Sequence, residues 1–224
     1  MVNRDVIPYS NSQKEILSLE AVLPRTVNVI ICSVLYPASN RIEILQKTIE
    51  RIFSTWPILS SARSSNGMGL YIPEERNDYA HVRSFPSPEA FTAWAQAQGE
   101  CSFDENERLS SIIPITIDSS RQAGFFIKVN HLICDGWSVS ILIAALDKTY
   151  MSLLQGVSPC SLDAGMPYEQ FVLDEQTYYA GKRAERARAY WEHVFASSKN
   201  ASLIAEANDS DFRTERYTSV IEHN

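Results

Sequence analysis

The sequence predicts an α/β fold, and two stretches of the chain carry that prediction. Residues 27–35 and 125–129 are apolar and rich in β-branched or aromatic side chains, as in buried strands. Each run is followed by apolar residues at helical spacing. Hydrophobic residues make up 45% of the 224-residue chain, which is enough to form a packed core.

The N-terminal elements follow from short signals. Residues 1–11 are predicted to form a loop, after which Ser12 caps a short helix that ends at Leu19, with Glu15 as its capping-box partner. The strand at 27–35 is predicted to lie in the core and to end at Tyr36-Pro37.

A clear amphipathic helix comes next. Asn40 is its predicted N-cap and Pro57 marks its end. Ser64-Ser65-Asn66-Gly67 predicts a turn between two short strands. The apolar face of the helix consists of Ile42, Leu45, Ile49, Ile52 and Phe53.

The middle of the chain alternates loop, helix and strand. Residues 73–88 are predicted to be a charged loop, and residues 89–98 a helix anchored by Phe91 and Trp94. Residues 112–117 predict a strand, and Pro114 within it favours an edge position.

The C-terminal half begins with a hairpin link at 119–124, which leads into the central strand. A helix is predicted at 139–154, a loop at 155–165 and one long helical stretch at 168–195. The charged face of that stretch predicts a solvated surface, with contact to an acidic carrier protein as the lesser alternative. Residues 217–221 predict a further short strand.

The candidate site lies between the central strand and the helix after it. A histidine, here His131, can take a proton from an attacking amine, hydroxyl or thiol near neutral pH. Asp135 can order the loop, and the main-chain N–H of Gly136 can face developing negative charge. The alternative is structural: a buried histidine satisfied by a neighbour, with Asp135 as a helix N-cap.

Composition excludes several other classes. The net charge of −7 argues against a nucleic-acid partner, and there is no long apolar span for a membrane. The four cysteines lack CxxC spacing and predict reduced thiols in a cytoplasmic protein, without a metal site. Cys134 lies inside the candidate site, where packing is favoured over a nucleophilic role.

The segment Asn130-His131-Leu132-Ile133-Cys134-Asp135-Gly136-Trp137-Ser138 closely resembles the HHxxxDG signature of nonribosomal peptide synthetase condensation domains, which belong to the chloramphenicol acetyltransferase-like superfamily. Tyr9-Ser10-Asn11-Ser12-Gln13 is similar to the opening LSxxQ of that family. The stretch from Tyr168 to Phe171, together with Tyr190-Trp191, resembles its later YxxF and YW segments.

The resemblance implies a chloramphenicol acetyltransferase-like lobe with a mixed β-sheet flanked by helices. It implies amide (or ester) bond formation between a thioester donor and an acceptor, both carried on phosphopantetheine arms of carrier proteins. His131 would be the general base or would orient the amine, and Gly136 N–H would stabilise the oxyanion. Asp135 would be structural, and Trp137 would pack under the loop or line the substrate tunnel. No cofactor or metal bound by the chain is implied.

Two departures from the family pattern stand out. Asn130 replaces the first motif histidine, and it is expected to hydrogen-bond within the loop or to pair with backbone at the strand end. In relatives, an arginine from an LRTRF-like segment braces the motif aspartate. This chain has Leu59-Ser60-Ser61-Ala62-Arg63 there, so the arginine is displaced, and Arg63 is predicted to be a surface charge.

The extent of the chain shapes the functional hypotheses. Residues 1–196 are predicted to form the N-terminal lobe, and residues 197–224 the crossover toward a second lobe. The alternatives are a non-catalytic lobe that docks carrier proteins, and an acyl-CoA-dependent acyltransferase that completes its site by self-association.

Overall fold

The computed structural model describes residues 6–37, 41–73, 81–104, 107–158 and 161–197. The chain divides into two compact units, Met1–Thr177 and Tyr178–Asn224. In chain order the described elements are β1 (Ile7–Pro8), α1 (Asn11–Glu20), a 3₁₀ turn (Arg25–Asn28), β2 (Val29–Pro37), α2 (Ile42–Thr55), a second 3₁₀ turn (Pro57–Ser60), β3 (Ala62–Arg63), β4 (Gly69–Tyr71), β5 (Arg83–Phe85), α3 (Pro88–Glu100), β6 (Ser110–Ile117), β7 (Gln122–Asn130), α4 (Gly136–Leu154), α5 (Tyr168–Tyr179) and α6 (Lys182–Ser197).

The larger sheet of the first unit has four described strands in the order β2-β7-β6-β5. Strand β7 is antiparallel to both of its neighbours, whereas β5 and β6 are parallel. The sheet is therefore mixed, and the predicted α/β class is confirmed. A smaller antiparallel sheet has the order β1-β4-β3.

Helices cover both faces of the larger sheet because β7 is apolar on both faces. Phe125 and Ile127 face α2 and α4, and Phe126 faces α3 on the other side. The predicted apolar face of α2 is confirmed, since Leu45, Ile49, Ile52 and Phe53 are buried there. Phe91 and Trp94 anchor α3 as predicted. The central strand is thus fixed firmly from both sides.

Strand β2, predicted to be a core strand, is half-buried, packs against the core on both faces and lies at one end of the described strand order. One prediction about strand position is wrong. Strand β6, predicted to be an edge strand, lies between β7 and β5. In an antiparallel ladder, successive N–H groups of a strand point alternately toward and away from the partner strand. The N–H of Asn130 donates to the carbonyl of Leu109, and in this register the nitrogen of Pro114 points away from β7. Pairing with β5 begins only at Ile115, so the proline interrupts neither ladder.

The predicted loops at 1–11 and 73–88 are wrong in part, because each contains a short described strand, β1 and β5 respectively. The predicted cap of α1 is also wrong. Helix α1 is capped two residues earlier, by Ser10, and its capping-box partner is Gln13 instead of Glu15.

The long helical stretch predicted at 168–195 is broken. Helix α5 ends at Tyr179 and α6 begins at Lys182. Gly181 lies in the break, where its N–H donates to the carbonyl of Tyr178 and its own carbonyl accepts from Ala184. Glycine is a poor helix former, which explains a stop at this position.

Some predictions fall outside the described residues. They are the Asn40 cap, the thiol of Cys160, the strand at 217–221 and nearly all of the crossover at 197–224. The boundary between residues 196 and 197 stays a prediction. Among the described residues, no helix is long and apolar enough to cross a membrane.

Candidate active site

The candidate site is the loop of residues 131–135, between the end of β7 and the start of α4. His131, Asp135 and Gly136 are exposed in this chain. The alternative of a buried, satisfied histidine is therefore wrong. An imidazole at the end of a buried strand, held by a short loop and open to solvent, is accessible to a substrate.

Asn130 holds the loop from the inside. Its side chain is buried, and its Oδ1 accepts the N–H of Leu132 at 2.8 Å. Its main-chain carbonyl accepts the N–H groups of Ile133 at 3.0 Å and Cys134 at 3.3 Å. Its own N–H donates to the carbonyl of Leu109 at 2.8 Å. Both expected roles of Asn130, within the loop and at the strand end, are confirmed.

A second inner contact comes from helix α1. Gln13 Nε2 donates to the carbonyl of Leu132 at 2.8 Å, and its Oε1 accepts the N–H of Ser10 at 3.0 Å. The N–H of Gln13 donates in turn to Ser10 Oγ at 3.3 Å. Gln13 therefore closes the capping box and supports the loop with one buried side chain. It was missed as a site residue, although the Ser10-x-x-Gln13 spacing was its signal.

Helix α5 holds the start of α1 in place. Glu175 Oε2 accepts the N–H of Asn11 at 2.9 Å. Burial raises the pKa of Tyr168, the first residue of α5, and the nearby Ser10 side chain acts in the opposite direction. The stretches at 9–13 and 130–138, which resemble one family, are thus linked by the hydrogen bond from Gln13 to Leu132, and Glu175 of α5 binds the first of them.

Arg63 is not a surface charge, so that prediction is wrong. Its guanidinium makes a bidentate pair with Glu20, with N–O distances of 2.7 and 2.8 Å. The two side chains are 17% and 5% exposed. Burial raises the pKa of Glu20, but the hydrogen bonds from Arg63 and Asn28 outweigh it and hold that pKa below its usual range.

Asp135 caps helix α4, as the structural alternative predicted. Its Oδ1 accepts the N–H of Ser138 at 2.7 Å and the hydroxyl of Ser138 at 2.6 Å. These two hydrogen bonds hold the pKa of Asp135 below its ordinary value. The aspartate therefore fixes the junction of loop and helix.

Gly136 and Trp137 form the outer rim of the site. A Cβ built on Gly136 would meet no atom within 4 Å, so nothing in the described residues requires a glycine there. Trp137 is 77% exposed, so the prediction that it packs under the loop is wrong. Its alternative role, lining a substrate tunnel, stays a prediction.

Cys134 packs behind the loop. Burial, together with the nearby charge of Asp135, raises the pKa of its thiol to about 12. The reactive thiolate is therefore almost absent at neutral pH, which favours packing over nucleophilic chemistry. Among the described residues, no group of three or more histidine, cysteine, aspartate or glutamate side chains is placed to hold a metal ion.

Comparison with known proteins gives one consistent family. The Condensation domain family model matches residues 3–223. Polyketide synthase PksN of Bacillus subtilis is 33% identical over 101 residues, which cover 43% of this chain and 2% of that protein. Enniatin synthetase of Fusarium oxysporum is 32% identical over 79 residues, 34% of this chain and 2% of that protein.

Solved structures share the fold. A variant of the starter condensation domain of the rhizomide synthetase RzmA, in complex with C8-CoA, superposes with a TM-score of 0.76 at 16% identity and covers 91% of this chain and 48% of that one. The first condensation domain of the CDA synthetase gives a TM-score of 0.66 at 19% identity, covering 88% and 51%. The chain thus spans about half the length of these solved relatives.

Proposed function

Since the chain belongs to the condensation-domain family, we propose that it is the N-terminal lobe of a nonribosomal peptide synthetase condensation domain. In this role it forms an amide (or ester) bond between a thioester donor and an acceptor carried by separate carrier proteins. One observation carries the proposal: His131 is exposed on a loop whose main chain is held from the inside by buried partners.

The chemistry follows from the exposed groups. The acceptor nitrogen attacks the thioester carbonyl carbon, so that a C–N bond forms and the C–S bond breaks. His131 accepts the proton that the amine loses and passes it to the departing sulfur, or it orients the amine while that proton goes to the sulfur; in both cases the thiol leaves protonated. The N–H of Gly136, at the start of α4, stabilises the oxyanion of the tetrahedral intermediate. Asp135 keeps its capping role and does not touch the substrate.

The proposed partners are carrier proteins and a second lobe. Each substrate arrives on a phosphopantetheine arm, and the chain itself holds no cofactor. The length of the solved relatives supports the second lobe, because this chain matches about half of each. Trp137 and Gly136 would then line the tunnel that the second lobe completes.

A second candidate is transfer from an acyl-CoA. One solved relative was crystallised with C8-CoA, which favours a soluble acyl thioester as an alternative donor. In that case the site would be completed by self-association. If neither donor reacts, the remaining function is that of a non-catalytic lobe that docks carrier proteins.

A condensation assay separates these functions. The chain is tested alone and joined to any coding sequence that follows it, with an aminoacyl-carrier acceptor and either an acyl-carrier or an acyl-CoA donor. His131→Ala is the matched control for each form. We expect His131-dependent amide product from the carrier donor only in the joined form. Product from the chain alone with acyl-CoA would instead support the second candidate, and no His131-dependent product would contradict both.

A further inference from the structure

We propose that the buried Arg63–Glu20 ion pair positions His131 for condensation through Asn28, an inference that rests on the proposed function. The Arg63 guanidinium binds the Glu20 carboxylate, which also binds the Asn28 side chain. The main-chain carbonyl of Asn28 then accepts the N–H of His131. These residues are positioning residues, since none of them lies on the exposed rim.

The carboxylate of Glu20 is the centre of the network. Both of its oxygens bind Arg63, and Oε1 also accepts Asn28 Nδ2 at 3.0 Å. A carboxylate that accepts three hydrogen bonds has one well-defined orientation. Asn28 is buried, so its side chain takes its direction from that carboxylate.

Asn28 transmits this order to the loop. Its carbonyl accepts the N–H of His131 at 2.7 Å, a short main-chain hydrogen bond. The next residue, Val29, is registered with Asn130 at the end of β7. The end of the 3₁₀ turn at Asn28 therefore lies directly beside the base of the catalytic loop, and a shift of Asn28 moves the main chain that carries the imidazole.

A purely stabilising role is a weaker explanation of this ion pair. Desolvating two charges offsets much of their attraction, and apolar replacements of similar size are often as stable. Buried ion pairs have their best-attested value where they fix one geometry. Arg63 does not brace Asp135, which is held by Ser138 instead. The ion pair thus reaches the loop at its histidine end.

The test measures the loop and the reaction separately. Arg63→Met removes the guanidinium, and Asn28→Ala breaks the side-chain link but keeps the main-chain carbonyl. Glu50→Gln, on the exposed face of α2, is the control for loss of a charge. Amide hydrogen exchange is followed at His131 and at Ile127 in the middle of β7, and kcat and KM are measured in the form of the protein that makes product.

We expect His131 N–H exchange to rise about tenfold or more in both variants; in Asn28→Ala exchange at Ile127 should stay unchanged, whereas in Arg63→Met exchange at Ile127 also reflects the loss of global stability. We expect kcat to fall about tenfold with KM within about twofold, since misplacing a catalytic group affects the chemical step. Glu50→Gln should match wild type in both readouts.

Two results would overturn the proposal: unchanged His131 exchange and kcat in a folded variant, or equal acceleration of exchange at His131 and Ile127 in Asn28→Ala. If Arg63→Met does not fold, Asn28→Ala alone decides. If wild type yields no product, the proposed function fails, while selective exchange at His131 still supports the positioning of the loop.

Discussion

The two sides of the 131–135 loop are built in opposite ways. On the inner side, buried Asn130, Gln13 and Asn28 hold the loop through side-chain and main-chain hydrogen bonds. On the outer side, His131, Gly136 and Trp137 are exposed. The inner groups have hydrogen-bond partners within the chain. The outer groups are exposed, and the proposed function assigns them to substrate contact, so inner substitutions should lower stability and outer ones should lower activity.

The largest expected effect on stability is at the Arg63–Glu20 pair. Arg63→Met leaves a buried carboxylate without its main partner, and we expect a loss of about 3 kcal/mol in the free energy of unfolding at neutral pH. Urea titration monitored by circular dichroism measures it. The double variant Glu20→Gln/Arg63→Met is the control and should recover part of the loss. A loss below about 0.5 kcal/mol for Arg63→Met would contradict a buried pair.

The same pair predicts an acid limit. The folded-state pKa of Glu20 lies below its ordinary value of 4.5. The stabilisation is therefore fully present above that value and is lost as the pH falls through the lower folded pKa. The difference in unfolding free energy between wild type and Glu20→Gln should therefore shrink as the pH falls below about 4.5. A difference that grows in acid would show that the sign is wrong.

The next effect is at Asn130. Asn130→Leu keeps the volume but leaves the N–H of Leu132 without its acceptor, and we expect a cost of about 2 kcal/mol in the unfolding free energy. Asn130→His restores the residue that the family has at this position and can accept a hydrogen bond through a ring nitrogen. Asn130→His should therefore be more stable than Asn130→Leu in thermal and urea unfolding. Equal stability would contradict the inner role of the Asn130 side chain.

A smaller effect is expected at Gln13. Gln13→Met removes the hydrogen bonds to Leu132 and Ser10 at similar size, with an expected cost of about 1 kcal/mol. Glu15→Met tests the other predicted capping partner and should be close to neutral. Denaturant unfolding of both variants decides between them. A larger loss for Glu15→Met would favour the cap at Ser12.

The smallest effect on stability is expected on the outer rim. A Cβ at Gly136 meets no atom within 4 Å, so Gly136→Ala should change the unfolding free energy by less than about 0.5 kcal/mol. If a substrate passes this point, the added methyl group should still lower kcat/KM. Unfolding and product formation are measured on the same preparation. Unchanged kcat/KM would argue against substrate contact at Gly136.

Local patterns predicted the elements that position the site. The apolar run at 125–129, the helical spacing after Gly136 and the amphipathic face of α2 each fix their element without help from the rest of the chain. The cap of α1 shows where this approach fails. Ser10-x-x-Gln13 and Ser12-x-x-Glu15 both satisfy the capping-box pattern, and the contact of Gln13 with Leu132, 119 residues away, is what distinguishes them.

Long-range pairing explains the other errors. Arg63 lies 43 residues from Glu20, and no local signal links the two. Pro114 predicted an edge strand because a proline cannot donate a hydrogen bond to a neighbouring strand. Pairing of β6 with β5 begins one residue later, at Ile115, and this starting point depends on a strand elsewhere in the chain. The resemblance implied that Trp137 packs under the loop or lines the tunnel, and Trp137 is exposed in this chain. Its exposure is what a site completed by another surface would require.

The most direct test of catalysis at His131 compares His131→Ala with wild type in the form of the protein that makes product. Because the side chain is exposed, the unfolding free energy should change by less than about 0.5 kcal/mol. In the proposed mechanism the imidazole accepts a proton or orients the amine, so product formation should fall about 100-fold or more. Full activity in His131→Ala would contradict the catalytic role of this loop.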